Sequence, residues 1–452
     1  MSLPFDMFNS YWPLKTVLSF IIASVSVAAL SQRLVSGPML GYVTHTECAI
    51  WIQVSAPCKL ELVYWPSGEP GEKKISRVQV GEESANTGHF IIGNLKPGVE
   101  YQYLVRSGNR RLADFPGQRF RTQILWQYRE DPPPFRIALG SCAYINEPEM
   151  DRPGKSYGGD YGIFHSIAST NPDIMLWLGD HVYFREPDWS SWTGMLHRYS
   201  HDRACPELQE LLRSCSHYAI WDDHDFGPDD ANGSFIHKDR SKKVFEMFWA
   251  NPSYGIPGIG GTTTAFSFND VDFFLLDNRT FRTESTLIGT SKQILGQAQI
   301  EWLIQGLKYS QAPFKFVAIG GQFLSDAKVF ENHANYEEER ALILGRIEEE
   351  DIDGVIFLSG DRHSASISES SFQDGRKIID FTCSPLTASA YDHSKEANSF
   401  MVQGSGFYER NFGVIEVEGS KGNRTATIQI LDKSGKEVFE YIIHEKDLQK
   451  KL

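Results

Sequence analysis

The 452-residue sequence has no excess of positive charge. Its 44 Lys+Arg stand against 58 Asp+Glu, a formal net charge of −14. An acidic surface repels a nucleic-acid backbone, so no nucleic-acid partner is expected. Cysteine is sparse: six residues, with no CxxC pair and no zinc-ribbon spacing, which speaks against a thiolate zinc site. Cys48 and Cys58 flank one candidate strand, and Cys205 and Cys215 flank a helical stretch. Each pair is open to bridging in an oxidising compartment, and buried free thiols are the equal alternative. The glycine-rich Gly255–Gly261 lacks a following Lys-Ser/Thr, so it is not a phosphate-cradling P-loop. There is no internal repeat and no low-complexity tract. Aromatic residues, by contrast, reach 13% and hydrophobic residues 41%, enough for a large core and too many for a disordered chain.

One apolar run lies near a terminus, Val17–Leu30, preceded by Lys15 and ending among Ser26, Ala28 and Ala29. It is shorter than the ~20 residues of a spanning helix. A positive flank, a short apolar stretch and a small-residue exit resemble a secretory signal. Residues 1–33 are therefore expected to be a signal peptide or anchor. The protein is expected to be exported, as a periplasmic, extracellular or membrane-anchored form. Any membrane association is expected through this segment only.

From 34 to 124 the pattern predicts a small all-β domain. Short strands rich in β-branched and aromatic residues are separated by turns such as Pro66-Ser67-Gly68 and Pro97-Gly98. The segment Asn94 to Tyr103 resembles a fibronectin type III-like corner, in which a tyrosine, here Tyr101 or Tyr103, locks the turn through its hydroxyl. Asp131-Pro132-Pro133-Pro134 marks a boundary, since a proline run cannot continue a sheet interior. Beyond it, from about 130 to 452, apolar strands alternate with helical patterns. Strands are predicted at Phe135–Leu139, Ile174–Leu178, Tyr218–Trp221, Val271–Leu276, Phe316–Ile319, Val355–Leu358 and Ile378–Phe381. Near-continuous apolar strands imply sheets covered on both faces, an α/β fold.

The strand ends carry the chemistry. Four of them run into Gly140-Ser141-Cys142, Gly179-Asp180-His181-Val182-Tyr183, Asp222-Asp223-His224-Asp225 and Gly360-Asp361-Arg362-His363. Ligands of α/β folds bind beyond the carboxyl ends of the strands. A glycine before an acid is expected to let the backbone turn sharply there. Singly, each motif has a structural explanation: a cap, a turn or a buried thiol. Together they do not, because clustered carboxylates repel one another unless a cation compensates. Carboxylates suit a hard ion such as Ca²⁺. A tyrosine phenolate and a thiolate call for a stronger Lewis acid, such as ferric iron. His333 and Tyr336 are further candidates to line the cleft.

The ordered set of these four motifs, with Leu295-Gly296-x-x-Gln299-x-x-Trp302-Leu303, resembles the alkaline phosphatase D (PhoD-like) family of calcineurin-like metallophosphoesterases. The resemblance spans Ser36 to the end of the chain. It implies a central metallophosphoesterase-type β sandwich flanked by helices, preceded by the small β domain. It further implies Fe³⁺ on Cys142, Asp180, Tyr183 and His363. Ca²⁺ is implied on Asp361 with Asp180 shared, and Asp223 and Asp229 are taken as further metal ligands. His224 is implied as the residue that protonates or orients the leaving group, and Arg362 as a partner for a phosphate oxygen. The sequence departs from some members at Asp229, where an asparagine is usual, and at Val182, where a basic residue occurs.

The implied activity is hydrolysis of phosphate-ester small molecules by in-line attack of a metal-bound hydroxide. A lipid-head-group or nucleotide phosphodiesterase on the same scaffold is the alternative. A non-enzymatic binding homologue would be expected to have lost metal positions, and here they are all present.

Overall fold

The strand Ile174–Leu178 shows how the sequence builds the layers. Ile174, Leu176 and Leu178 face one hydrophobic cluster, while Met175 and Trp177 face another. Side chains alternate across a strand, so a strand apolar at every position is buried on both sides. Val271–Leu275 repeats the pattern from the opposite sheet: Val271, Phe273 and Leu275 point inward and Phe274 outward. The structure is a computed structural model and describes residues 32–112, 115, 118–288 and 291–450. The Val17–Leu30 run lies outside the described residues. No helix among them is long and apolar enough to cross a membrane.

Two sheets pack face to face around this shared core. The six-stranded sheet has the order Thr264–Phe268, Val271–Leu275, Lys315–Ala318, Val355–Ser359, Lys377–Thr382, Ser366–Ser371. The nine-stranded sheet is centred on three parallel strands, Phe135–Gly140, Ile174–Leu178 and Ser216–Ile220. Helices cover the outer faces. Ile163–Ser169, Trp192–Arg203, Leu208–Ser214 and Lys238–Phe248 lie on the larger sheet, and Gln297–Tyr309 and Glu337–Glu349 on the smaller. The result is a mixed α/β sandwich, helices outside and sheets inside. In both sheets the central strands run parallel. Their carboxyl ends meet across the gap: Asp361 N–H donates to the Ser141 hydroxyl at 3.2 Å, and the Cys383 thiol to the Leu139 carbonyl at 3.5 Å.

The amino-terminal strands form a second, smaller sandwich. Leu34–Val43, Cys48–Val54 and Thr87–Ile92 make one layer, and Lys74–Val80, Cys58–Pro66, Glu100–Ser107 and Arg119–Arg121 the other, around Trp51's neighbours Ile50 and Ile52. The first layer is continuous with the large sheet, because Leu34–Val43 pairs in parallel with Ser216–Ile220. The Tyr101 hydroxyl accepts the Lys96 N–H at 2.8 Å, so the corner is tied by Tyr101. Buried Arg424 holds the proline run through the carbonyls of Pro132 and Pro133. All six cysteines are free thiols; neither sequence-adjacent pair is bridged.

Candidate metal centre

Four of the predicted ligands stand on turns just beyond a strand. Cys142 follows Phe135–Gly140, Asp180 follows Ile174–Leu178, and Asp361 and His363 follow Val355–Ser359. Their φ angles are +59°, +52°, +64° and +54°. Side chains other than glycine rarely adopt this left-handed region, and each instance costs of order 1 kcal/mol or more. Such strain persists where the surroundings fix it, and it clusters at functional sites. The glycines contribute differently from the sequence expectation. Gly179 does turn, at φ +91°. Gly360 instead makes room: a Cβ there would overlap the Ser141 hydroxyl.

The side chains converge. Cys142 Sγ lies 3.6 Å from Asp180 Oδ2, and Tyr183 Oη lies 3.5 Å from His363 Nε2. The ligand atoms of Asp180, Asp223 and His224 all lie within 4.8 Å of one another. Asp180 Oδ1 accepts the backbone N–H of His224 at 3.3 Å. The His224 ring packs on Tyr183 at 4.1 Å between centroids, and its Nε2 lies 3.5 Å from Asp229 and 3.8 Å from Asp223. Asp229 is the exposed member of the set, 69% open, and forms a second acidic group with Asp223 and Asp230. Above this floor opens a cavity of about 1010 Å³, lined by Tyr183, Asp223, His224, Asp229, Asp361, Arg362 and His363 among others. Cys142 and Asp180 lie beneath it, buried.

Not every charged neighbour belongs to the floor. Asp225 accepts the Asp222 N–H at 2.6 Å and pairs with buried His181 at 2.8 Å, so it caps the short helix Asp223–Phe226. Arg362 lines the cavity with its guanidinium paired to Glu396 and set 4.9 Å from the Phe330 ring. His333 is buried against Glu339 at 3.1 Å, and the Tyr336 hydroxyl donates to the Thr283 carbonyl. Both are packing residues and do not line the cavity. Sequence reasoning overlooked Glu331, Asp230 and Arg279. Arg279 has a findable signal, since Asp277-Asn278-Arg279 follows the apolar strand Val271–Leu275 just as the other motifs follow theirs. Glu331 lies in a loop with no such pattern. Arg279 bridges Asp222 and Glu331 and lies 3.6 Å from Asp223, while Arg282 holds Glu331 at 2.8 Å. The Asp222–Asp223–Glu331 group is thus neutralised by arginine.

Among the described residues no arginine forms an ion pair with the Cys142–Asp180–Tyr183–Asp361 group, and its protonation reflects this. Burial, then repulsion from Asp223 and Cys142, holds the Asp180 carboxyl well above the usual range. Burial and the neighbouring acids Asp222, Glu331 and Asp223 push Asp361 up to about 8. Burial lifts the Cys142 thiol to about 12 and the Tyr183 phenol well above its ordinary value. Asp223 goes the other way: burial raises it, but His224 and Arg279 outweigh burial and hold it at about 2. Left alone, the floor keeps its protons. A bound cation inverts that preference, so the donor set fits one.

The sign gives a test. Between about pH 4 and 8 the folded protein binds at Asp361, lifted to about 8 by burial, a proton that the unfolded chain has released. Stability of the metal-free protein therefore falls as pH rises through this window. Metal replaces the protons, so the rise in melting temperature on metal loading is expected to grow from pH 5 to pH 8. Thermal melts of stripped and loaded protein at several pH values measure it. An increment that is flat or shrinks with pH would contradict the assignment.

Residues 264–427 match the family described as PhoD-like phosphatase, a span that includes Asp361, Arg362 and His363. Residues 31–125 match a family described as a domain of unknown function, DUF7800. No curated protein matches the chain in sequence. The structure of PhoD is similar in fold, with TM-score 0.72 and 14% identity, covering 90% of this chain and 88% of its own. A purple acid phosphatase from yellow lupin (Lupinus luteus) seeds is similar at TM-score 0.65 and 11% identity, over 91% of this chain and 75% of its own. The match of residues 264–427 to the PhoD-like phosphatase family, on a fold similar to that of PhoD over nine-tenths of the chain, supports a phosphoric ester hydrolase.

Proposed function

We propose that the cavity hydrolyses phosphate esters over two cations. Ferric iron would be held by Cys142, Asp180, Tyr183 and His363, and calcium by Asp180, Asp223, Asp361 and Asp229. The observation that carries this is the donor chemistry of the floor. A thiol, a phenol and a buried carboxyl with raised proton affinities sit together, and a strong Lewis acid is what such a set accommodates. When bound, the metals supply Lewis acidity to the phosphoryl oxygens and make water a better nucleophile at neutral pH.

The remaining work falls to protein groups. His224 is about one-fifth exposed and borders the cavity, with Nε2 facing the carboxylates of Asp223 and Asp229. Nε2 is the atom placed to protonate a departing alcohol. The ring's contact with Tyr183 fixes its plane. His363 is oriented through Nδ1 by the Ser389 carbonyl, which leaves Nε2 toward Tyr183 and the floor. Arg185, set over the Tyr144 ring at 3.8 Å, and Arg362 add positive charge to the wall. Elemental analysis of the purified protein tests the reading. Iron together with calcium is expected; zinc alone would point to a different metallophosphatase chemistry. The volume favours an ester with a large organic group, because a small alcohol leaves most of the cavity empty. Comparing mono- and diester turnover decides between the phosphatase and the phosphodiesterase reading.

A further inference from the structure

The cavity's walls are aromatic as well as charged. Its volume of about 1010 Å³ stands at the top of the roughly 300–1,000 Å³ range that holds drug-sized ligands. A phosphoryl group fills the floor, and the organic part of the ester must fill the rest. The Tyr391 hydroxyl donates to Tyr157 at 3.3 Å, and the Tyr391 ring lies 5.0 Å from His363. The His393 ring lies 6.3 Å from Tyr391, and Phe330 lies 6.0 Å from His393. A row of rings thus leads from His363 on the floor to Phe330.

Phe330 is costly in two ways. Its side chain is 72% exposed, which forgoes burial of a large apolar ring. Its backbone also sits at φ +46°, a left-handed conformation that is a true outlier for a bulky residue. A loop that only had to turn here would use glycine or asparagine. The conformation is enforced from both sides. Asn335 Nδ2 donates to the Phe330 carbonyl at 2.7 Å, and the next residue, Glu331, is clamped by Arg279 and Arg282. The Arg362 guanidinium lies 4.9 Å from the ring centroid, and most of the ring stays open. His393 is fixed as well, with Nδ1 on Glu396 at 2.6 Å and Nε2 on the Arg362 carbonyl at 2.8 Å.

We propose that Phe330, with Tyr391 and His393, forms a stacking subsite for a planar heterocyclic base, so that the esters taken by this cavity are nucleotides. The inference rests on the phosphoesterase reading and adds the substrate class to it. A base offers a flat apolar face to Phe330 and polar edges to the surroundings. A saturated lipid chain would meet the charged Arg362–Glu396 pair beside the same ring. Base-on-aromatic stacking is sequence-tolerant, so the subsite selects a nucleoside rather than one particular base.

Calorimetric titration of the metal-loaded enzyme tests this with adenosine 5′-thiomonophosphate, ribose 5-phosphate and inorganic thiophosphate. The wild type is expected to bind the nucleotide about 5- to 150-fold more tightly than inorganic thiophosphate. Phe330→Ala is expected to erase that gain and leave inorganic thiophosphate affinity unchanged, and Phe330→Trp to keep it. Equal affinities in the wild type would overturn the subsite. So would ribose 5-phosphate binding as tightly as the nucleotide, or a Phe330→Ala loss common to all three ligands. If inorganic thiophosphate does not bind and no phosphate ester is hydrolysed, the phosphoesterase reading itself falls, and the subsite with it.

Discussion

Asp180→Asn is expected to abolish hydrolysis of a nitrophenyl phosphate ester, a loss of at least about a thousandfold, while the protein stays folded. Asparagine is nearly the same shape and tolerates the left-handed backbone that Asp180 adopts at φ +52°. Its amide oxygen can still accept the His224 N–H, now 3.3 Å from Asp180 Oδ1. What disappears is the negative charge between Cys142 and the Asp223–His224 pair. In the metal-free protein that charge is a burden, because burial and the surrounding acids already hold the carboxyl in its protonated form. The stripped variant should therefore melt no lower than the stripped wild type. Adding metal should raise its melting temperature much less than it raises that of the wild type. This pairing separates a metal ligand from a structural aspartate, whose loss would lower the melting temperature of both forms. Full retained activity would sink the assignment of Asp180.

The parallel strands at the core were legible because burial on both faces leaves an unbroken apolar run. Ile174–Leu178 is observed with its sequence-derived bounds, and Val271–Leu275 differs by one residue. Strands with one wet face were harder to read. Ser366–Ser371 reads Ser-Ile-Ser-Glu-Ser-Ser and is a strand because it pairs with Lys377–Thr382. Leu34–Val43 contains Gly37-Pro38, a breaker by any local rule, yet it is flanked by partners on both sides. The carboxyl-terminal strands Thr425–Asp432 and Glu437–His444 do alternate in period two around an Asp432–Lys436 turn, a signal present in the sequence but weaker than the buried runs. The continuity of the two sandwiches through one sheet has no local signal at all.

The same contrast holds for the site. Motifs on strand ends could be found from the strands, and Cys142, Asp180, Tyr183, Asp223, His224, Asp361 and His363 do come together. Glu331 and Phe330 could not be found that way, because what places them is a loop fixed by long-range ion pairs. Arg279 lies between these cases. Its position after a strand is readable, but its role depends on three carboxylates contributed by distant segments.

That role carries the second large effect. Arg279 is fully buried, and its guanidinium spans Asp222 and Glu331 with Asp223 at 3.6 Å. Arg279→Met leaves this group with Arg282 alone, which reaches only Glu331. Removing one partner of a buried ion pair strands the others and is expected to destabilise the protein by about 3–5 kcal/mol, read from denaturant unfolding of the stripped form. Arg279→Lys should recover only part, since an ammonium cannot reach two carboxylates with a planar fork. The triple variant Arg279→Met, Asp222→Asn, Glu331→Gln should recover most of the loss, because the stranded charges go with their partner. The effect also reaches the chemistry. Asp223 stays ionised down to about pH 2 because His224 and Arg279 together outweigh its burial. Without Arg279 it takes up a proton at a higher pH, and a protonated carboxyl is a poor metal ligand. The acid limb of the activity profile should therefore move upward in pH in Arg279→Met, which removes the positive charge, and much less in Arg279→Lys, which keeps it. A loss below about 1 kcal/mol, or an unmoved acid limb, in Arg279→Met would mean that the three carboxylates are neutralised by something other than this arginine.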